Sequence, residues 1–79
     1  KDAVVKNSII MSDTYIGENT VIDYSIVEAG VHIGNNVVVG EEKETQKGIT
    51  VLGRDITVAD GVKVEGGKII DVDLLKEGN

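Results

Sequence analysis

The sequence predicts an all-β fold, a parallel β-helix of hexapeptide repeats wound into three to four triangular coils. Three columns of residues predict it: an aliphatic residue at every sixth position, an Asn, Asp or Gly three residues later, and a small or β-branched residue next. A period of six is neither the 3.6-residue period of a helix nor the alternation of a long strand. It describes a short strand followed by a tight corner, repeated along the chain.

The aliphatic column defines the first position of each hexad. Its members are Val4, Ile10, Ile16, Ile22, Val27, Ile33, Val39, Leu52, Val58 and Val64. The step from Ile22 to Val27 is one residue short. Because three hexads make one coil, each first position is expected to stack on the first position three hexads earlier. The expected stacked pairs are Ile22 over Val4, Val27 over Ile10 and Ile33 over Ile16.

The fifth position of each hexad precedes the next first position by two residues, so both side chains point to the same face of a strand. That face is the interior. The fifth positions are Ser8, Thr14, Thr20, Ile26, Val31, Val37, Ile56 and Val62. The residues between point outward and include Ile9, Tyr15, Val21, His32 and Val38. Val21 and Val38 are expected one coil apart on one face, and Tyr15 and His32 on another.

The fourth position supplies the corners. It contains Asn7, Asp13, Asn19, Ser25, Gly30, Asn36, Asp55, Gly61 and Gly67. Asn, Asp and Gly tolerate the positive φ that a tight corner demands. The exception, Ser25, lies in the shortened hexad. A helical fold is disfavoured by the many Val, Ile, Thr, Gly and Asn residues. An antiparallel sandwich would place turn signals every 8 to 12 residues or so rather than every six.

Two segments interrupt the period within a single domain over residues 1–79. Residues 41–47 are charged and lack aliphatic side chains, which predicts a protruding loop; contact with a partner and simple solvation both remain open. Residues 69–79 lose the period but keep apolar side chains, which predicts a cap or tail, because a stack exposes apolar ends. The start at Lys1 leads us to expect a fragment of a longer protein.

The composition of the chain excludes several classes of binding partner and site. The net charge of −6 argues against nucleic acid and anionic membranes as partners. No apolar run approaches the roughly 20 residues of a membrane-spanning helix. The chain has no cysteine, so it has neither a disulfide nor a thiolate metal site. Outward apolar residues are typical either of a partner contact or of scattered surface exposure.

No set of residues assembles a recognisable reaction site, and we predict no catalytic, cofactor-binding or metal-ligating residue in this chain. His32 is a single histidine at an outward position, and a catalytic base would need a substrate groove. Ser8 and Ser25 fit the repeat and lack a nucleophile-and-base pattern. There is no phosphate-binding P-loop. Four basic residues could gather near one end and hold an anion, namely Lys47, Arg54, Lys63 and Lys68.

Two runs of sequence resemble a known domain. They are Lys6-Asn-Ser-Ile-Ile-Met11 with Tyr15-Ile-Gly-Glu-Asn-Thr-Val-Ile22, and Val31-His-Ile-Gly-Asn-Asn-Val-Val-Val-Gly40 with a charged loop before Gly48-Ile-Thr-Val-Leu-Gly53. Over nearly all of its length the chain resembles the C-terminal domain of glucose-1-phosphate adenylyltransferases (ADP-glucose pyrophosphorylases). The charged loop followed by Gly-Ile-Thr-Val is the most specific part.

The resemblance implies a left-handed β-helix, whereas ordinary parallel crossovers are right-handed. It implies a cytoplasmic enzyme that makes ADP-glucose and pyrophosphate from ATP and glucose 1-phosphate for glycogen or starch synthesis. Mg²⁺ and ATP belong to an N-terminal nucleotidyltransferase domain that is absent from this chain. The implied partners are that domain, further subunits of a homo- or hetero-oligomer, and an anionic effector. The parent could be a catalytic or a regulatory-type subunit.

Two other functions remain open. The chain could belong to a trimeric hexapeptide-repeat acyltransferase with His32 as its base, since such enzymes share isolated hexads of this kind. It could also be a purely structural β-helix module. In both alternatives the predicted fold is the same, so fold alone does not separate them.

Overall fold

A computed structural model describes residues 3–40 and 48–75, and within these ranges all regular structure is β-strand. The strands are β1 (Val4–Lys6), β2 (Ile9–Ile10), β3 (Tyr15–Ile16), β4 (Val21–Asp23), β5 (Ser25–Val27), β6 (His32–Ile33), β7 (Val38–Val39), β8 (Thr50–Leu52), β9 (Thr57–Val58), β10 (Lys63–Val64) and β11 (Ile69–Ile70). No helix able to span a membrane occurs in the described part of the chain. The all-β prediction is confirmed.

The strands form three parallel sheets, and consecutive strands of the chain belong to the first, second and third sheet in rotation. The first sheet has the order β1-β4-β7-β10, the second β2-β5-β8-β11 and the third β3-β6-β9. Each run of three strands is therefore one coil, and three coils are complete. β10, β11 and a bridge from Leu74 to Val58 of the third sheet begin a fourth. This is a parallel β-helix of three to four coils, as predicted, and the antiparallel alternative is wrong. The left hand stays a prediction.

The register of the first two coils corrects one expected stack. Ile10 pairs with Val27 and Ile16 with Ile33, as expected. Ile22 pairs with Val5 rather than with Val4, whose partner is Val21. The reason is a second five-residue step, from Val5 to Ile10, directly below the step from Ile22 to Val27. Two adjacent valines hide this step in the sequence, because either could be the first position of its hexad.

Both short steps turn the same corner, the one between the first and second sheets. Ser25 joins β5 with its side chain buried, so the strand's inward positions are Ser25 and Val27. The prediction that Ile26 points inward is therefore wrong: Ile26 is an outward residue paired with Ile9. The chain bends at Tyr24, which has a φ of 51°, instead of at Ser25. The charged segment 41–47, between β7 and β8 in the sequence, lies outside the described residues, so the protruding loop stays a prediction.

The other corners follow the fourth-position column. Positive φ occurs at every Asn, Asp and Gly of that column, with non-glycine values between 51° and 61°. These residues are Asn7, Asp13, Asn19, Gly30, Asn36, Asp55, Gly61 and Gly67. Asn and Asp enter this region more readily than other side chains because their short polar groups bond locally. The corner prediction is confirmed at eight of its nine positions.

The interior is a set of aliphatic ladders. The buried apolar residues are Ile22, Val27, Val31, Ile33, Val37, Val39, Leu52, Ile56, Val58, Val62, Val64 and Leu74. Among the described residues, every buried side-chain nitrogen or oxygen has a hydrogen-bond partner. The Thr20 hydroxyl, for example, donates to the Gly34 carbonyl at 2.7 Å and accepts the Val37 N–H at 3.2 Å. Inward hydroxyls thus tie one coil to the next without leaving an unpaired polar group in the core.

The C-terminal segment continues the stack. Ile69 and Ile70 pair with Val51 and Leu52, and Leu74 is buried against the core. The Leu74 N–H donates to the Thr57 carbonyl at 2.8 Å. Residues 76–79 lie outside the described ranges, so the assignment of 69–79 as a cap or tail stays a prediction.

Candidate interaction surfaces

Each sheet presents one row of outward side chains, stacked in register from coil to coil. The first sheet presents Val4, Val21, Val38 and Lys63. The third presents Tyr15, His32 and Thr57. The second presents Ile9, Ile26, Val51 and Ile69, with no polar or charged member. The three sides of the prism therefore differ in chemistry, although all are built from the same repeat.

The row on the second sheet, together with Ile49, forms what we call the aliphatic face. Ile49 immediately precedes β8 and is 44% exposed. Ile9 is 59% exposed and Ile69 is 76% exposed, while the two middle rungs are half-buried by their neighbours. Four β-branched side chains in one row, with exposed Ile49 next to β8, form an apolar patch of the kind that marks a contact surface.

Tyr15 and His32 stack on the third sheet, as the predicted one-coil spacing requires. Their ring centroids are 4.6 Å apart and the planes are inclined by 16°. Both side chains are exposed. Within residues 3–40 and 48–75 no side chain hydrogen-bonds the imidazole, so His32 lacks the orienting partner that a general base usually has.

A buried carboxylate, missed by the sequence reasoning, lies at the irregular corner. The Asp23 side chain is 7% exposed, its Oδ1 accepts the Asn7 side-chain amide at 3.1 Å, and its Oδ2 lies 3.7 Å from Lys6 Nζ. Lys6 and Asp23 face each other in paired strands. Recognition of the short step from Val5 to Ile10 would have brought them together, because a coil is then 17 residues rather than 18.

A second set of polar side chains, also missed, satisfies backbone donors beside the third sheet. Asn35 Oδ1 accepts the Glu18 N–H at 2.8 Å, and Asp60 Oδ1 accepts the Asn35 N–H at 2.8 Å. Asp73 Oδ1 does the same for the Thr57 N–H at 2.9 Å. Each of these hydrogen bonds joins one coil to the next. Asn35 Oδ1 lies over Gly17 and Asp60 Oδ1 lies over Gly34, where an added Cβ would collide with them.

The described basic residues proposed for an anion site belong to the third coil and the incomplete fourth coil. Arg54 follows β8 in the second sheet, Lys63 is an outward residue of β10, and Lys68 precedes β11. Lys47 lies outside the described residues. The anion site therefore stays a prediction. In the described ranges, no group of three or more His, Asp or Glu side chains is placed to hold a metal ion.

These features define a class of protein: a parallel β-helix of hexapeptide repeats whose outward rows offer contact surfaces. Comparison with known proteins then gives the family. The chain belongs to the GMPPB C-terminal domain family, whose model matches residues 1–78.

Three curated glucose-1-phosphate adenylyltransferases are similar to the chain. The protein of Acetivibrio thermocellus is 36% identical over an alignment of 78 positions, gaps included, which covers 87% of this chain and 18% of the relative. That of Thermomicrobium roseum is 36% identical over 75% of this chain and 16% of the relative, and that of a Parafrankia species is 30% identical over 73% and 16%. The chain thus spans less than a fifth of the length of these relatives. No solved structure matches it.

Proposed function

We propose that this chain is the non-catalytic C-terminal assembly and regulatory domain of a glucose-1-phosphate adenylyltransferase. The parent enzyme would convert ATP and glucose 1-phosphate into ADP-glucose and pyrophosphate, in the cytoplasm, for glycogen or starch synthesis. One observation carries the proposal: adenylyltransferases align with up to 87% of this chain over at most 18% of their own length. A chain of this kind corresponds to one segment of such an enzyme.

The hydrogen bonds support a structural role for the polar residues. Asn35, Asp60 and Asp73 satisfy backbone N–H groups, and Asp23 is held by Asn7 and Lys6. A carboxylate that accepts a backbone N–H is occupied in holding a corner and is poorly placed to move a proton. Mg²⁺ and ATP would be bound by the N-terminal nucleotidyltransferase domain, which is not part of this chain.

The outward rows support the assembly role. Over residues 3–40 and 48–75 every buried side-chain nitrogen or oxygen is hydrogen-bonded, whereas several large apolar side chains remain in contact with solvent, among them Ile9, Tyr15, Ile49 and Ile69. Such residues would be covered by the catalytic domain or by another subunit of a homo- or hetero-oligomer. An anionic effector would bind where this domain meets its neighbours.

The proposal is tested on the full-length gene product. ADP-glucose formation is measured with ATP, glucose 1-phosphate and Mg²⁺, with the other nucleoside triphosphates as controls, for the full-length protein, for a truncation that lacks these 79 residues and for the chain alone. We expect activity in the full-length protein and none in the isolated chain, with loss of the oligomer on truncation. A full-length protein that forms no ADP-glucose, or that uses another nucleoside triphosphate in place of ATP, would overturn the proposal.

The acyltransferase alternative is tested by a second activity assay. Acetyl transfer from acetyl-CoA is assayed in the intact chain and in His32→Ala. An acetyl transfer activity that disappears in His32→Ala would establish the rival function. We expect no such activity, because the His32 ring stacks on Tyr15 and no described side chain hydrogen-bonds it.

A further inference from the structure

We propose that the outward side of the third sheet binds an arginine-bearing basic segment of a separate protein. We call this surface the aromatic face; its residues are Tyr15, His32, Thr57 and four exposed carboxylates, Asp13, Glu18, Asp55 and Asp60. The inference goes beyond the function proposed above and does not depend on it. Tyr15 differs from the exposed aliphatic residues named there because its surroundings are charged, so we assign it a different partner.

The centre of the aromatic face is a stack of two rings that is open to solvent. Tyr15 is 54% exposed, and its ring centroid lies 4.6 Å from that of His32. The side chains on either side of His32 in the sequence, Val31 and Ile33, are buried, so the strand fixes the position from which the imidazole projects. Over residues 3–40 and 48–75 neither the phenol nor the imidazole makes a hydrogen bond. Both rings are therefore available to a partner, and aromatic side chains are enriched in protein interfaces.

Carboxylates border this stack at matching positions in two coils. The first and third coils each place one acidic residue two positions before the outward residue of the sheet and another three positions after it. These residues are Asp13, Glu18, Asp55 and Asp60. In the middle coil the same two positions are neutral. The acidic pairs therefore lie two strand spacings apart, about 10 Å, with His32 at the level between them.

The negative charge of the aromatic face is not compensated within the described residues. The third sheet and its two borders are residues 13–19, 30–36 and 55–61, and they contain neither lysine nor arginine. Within the described ranges the single ion pair lies at the corner between the first and second sheets. Even when Arg54 is counted, because it adjoins the third segment, four carboxylates against one guanidinium leave an excess of three negative charges. Charge complementarity therefore calls for a cationic partner.

Arginine matches both the rings and the carboxylates of the face. An ionised carboxylate only accepts hydrogen bonds, whereas the guanidinium group has five N–H donors and no acceptor. The guanidinium plane also stacks on aromatic rings, for which the compact ammonium group of lysine is less suited. Glu18 follows Tyr15 by three residues, so an arginine that meets this ring is also offered a carboxylate. A second copy of the chain is excluded as the occupant, because its own net charge is −6.

The first test titrates the 79-residue chain with a hexa-arginine peptide at physiological ionic strength, where the Debye length is about 8 Å. His32 is the only histidine of the sequence, so its ring protons give isolated nuclear magnetic resonance signals that report on the face. We expect these signals to shift to saturation, and a hexa-lysine peptide to bind about two- to fivefold more weakly. Unmoved His32 signals, or equal affinities for the two peptides, would overturn the proposal.

The second test uses paired variants to separate the face from the net charge. Glu18→Gln and Glu65→Gln each remove one exposed carboxylate, but Glu65 follows β10 of the first sheet. Tyr15→Ser removes a ring of the face, and Val38→Ser is its control on the first sheet. We expect Glu18→Gln and Tyr15→Ser each to weaken hexa-arginine binding about two- to fivefold and the controls to leave it unchanged, with circular dichroism to verify folding. Equal effects of Glu18→Gln and Glu65→Gln would reveal attraction by net charge alone and would overturn the site.

The third test asks whether the face is free in the full-length gene product. Fluorescently labelled hexa-arginine is titrated with the full-length protein and with its Tyr15→Ser variant, and fluorescence anisotropy is measured. We expect binding that depends on Tyr15, as in the 79-residue chain. Binding to the chain but not to the full-length protein would show that the parent itself covers the face, and would overturn a separate partner.

These tests are separable from the enzymatic proposal. Absence of Tyr15-dependent peptide binding, with normal ADP-glucose synthesis by the full-length protein, would reject the face and keep the function. Tyr15-dependent binding to a full-length protein that makes no ADP-glucose would do the reverse.

Discussion

Gly34→Ala tests how closely the coils are packed at the corner after β6. Gly34 is buried, and an added Cβ would lie 2.9 Å from the Asp60 nitrogen, 3.2 Å from the Ala59 carbonyl carbon, and against Asp60 Oδ1. Its φ is not in the left-handed region, so the penalty is steric. The neighbouring coil cannot simply withdraw, because the Gly34 N–H donates to the Val58 carbonyl at 2.8 Å.

The magnitude follows from these contacts. Ordinary contacts begin near 3.4 Å, so the Asp60 nitrogen must retreat by about 0.5 Å, and overpacking of this kind costs about 1–3 kcal/mol. Displacement of the Asp60 carboxylate also breaks its bond to the Asn35 N–H, worth about 1.5–3 kcal/mol. Alanine also lowers the conformational entropy of the unfolded chain, which stabilises the folded variant by about 0.4–1 kcal/mol. We expect a net loss of about 1.5–5.5 kcal/mol, which lowers the Tm by at least about 6 °C in a domain of this size.

Gly61→Asn is the matched control. Gly61 has a φ of 77° and no atom within 4 Å of an added Cβ. Asn19 and Asn36 occupy the equivalent corner in the two coils below, each with a φ of 57°. The control should change the free energy of unfolding by less than about 0.5 kcal/mol. Both variants are followed by thermal and urea unfolding with far-ultraviolet circular dichroism; a Gly34→Ala variant as stable as Gly61→Asn would refute the close-packed corner.

Three further predictions concern the core, the loop and the buried carboxylate. Ile33→Asp should abolish cooperative unfolding, because it places an unpaired charge among the buried aliphatic side chains of the core. The control Ile69→Ala, at an exposed position, should have the melting transition of the unchanged chain. Equal melting behaviour of the two variants would contradict the buried aliphatic core. Deletion of residues 42–46 should leave the circular dichroism spectrum intact, since the period resumes after the segment; loss of the β signal would reject the loop assignment. Asp23→Ala should lower stability by about 1–3 kcal/mol through the lost bond to Asn7, measured by urea unfolding. Lys6→Ala should have little effect because Lys6 is half-exposed, and a larger loss in Lys6→Ala would reverse this ranking.

The repeat was predictable because its signals are local. Val31, Val37 and Ile56 are buried where the fifth-position column placed them, and Asn19 and Asn36 bend the chain where the fourth-position column placed them. The errors at Val4 and Ile26 have one cause. A five-residue step changes which side chain faces inward, and the Val4-Val5 pair offers two aliphatic candidates for one position. A single residue of register moves a side chain to the opposite face of a strand.

The amino-acid sequence by itself determined the architecture of this protein, because each hexad carries its own strand and its own corner residue. Only the tertiary structure decided which outward residues share a surface. The Tyr15–His32 stack, the Lys6–Asp23 ion pair and the aliphatic face each join residues one coil apart, and each requires a count of the residues per coil. The irregular corner alters that count from 17 to 25 residues between successive coils. Contacts between coils therefore depend on where the chain shortens or inserts, which the period alone does not reveal.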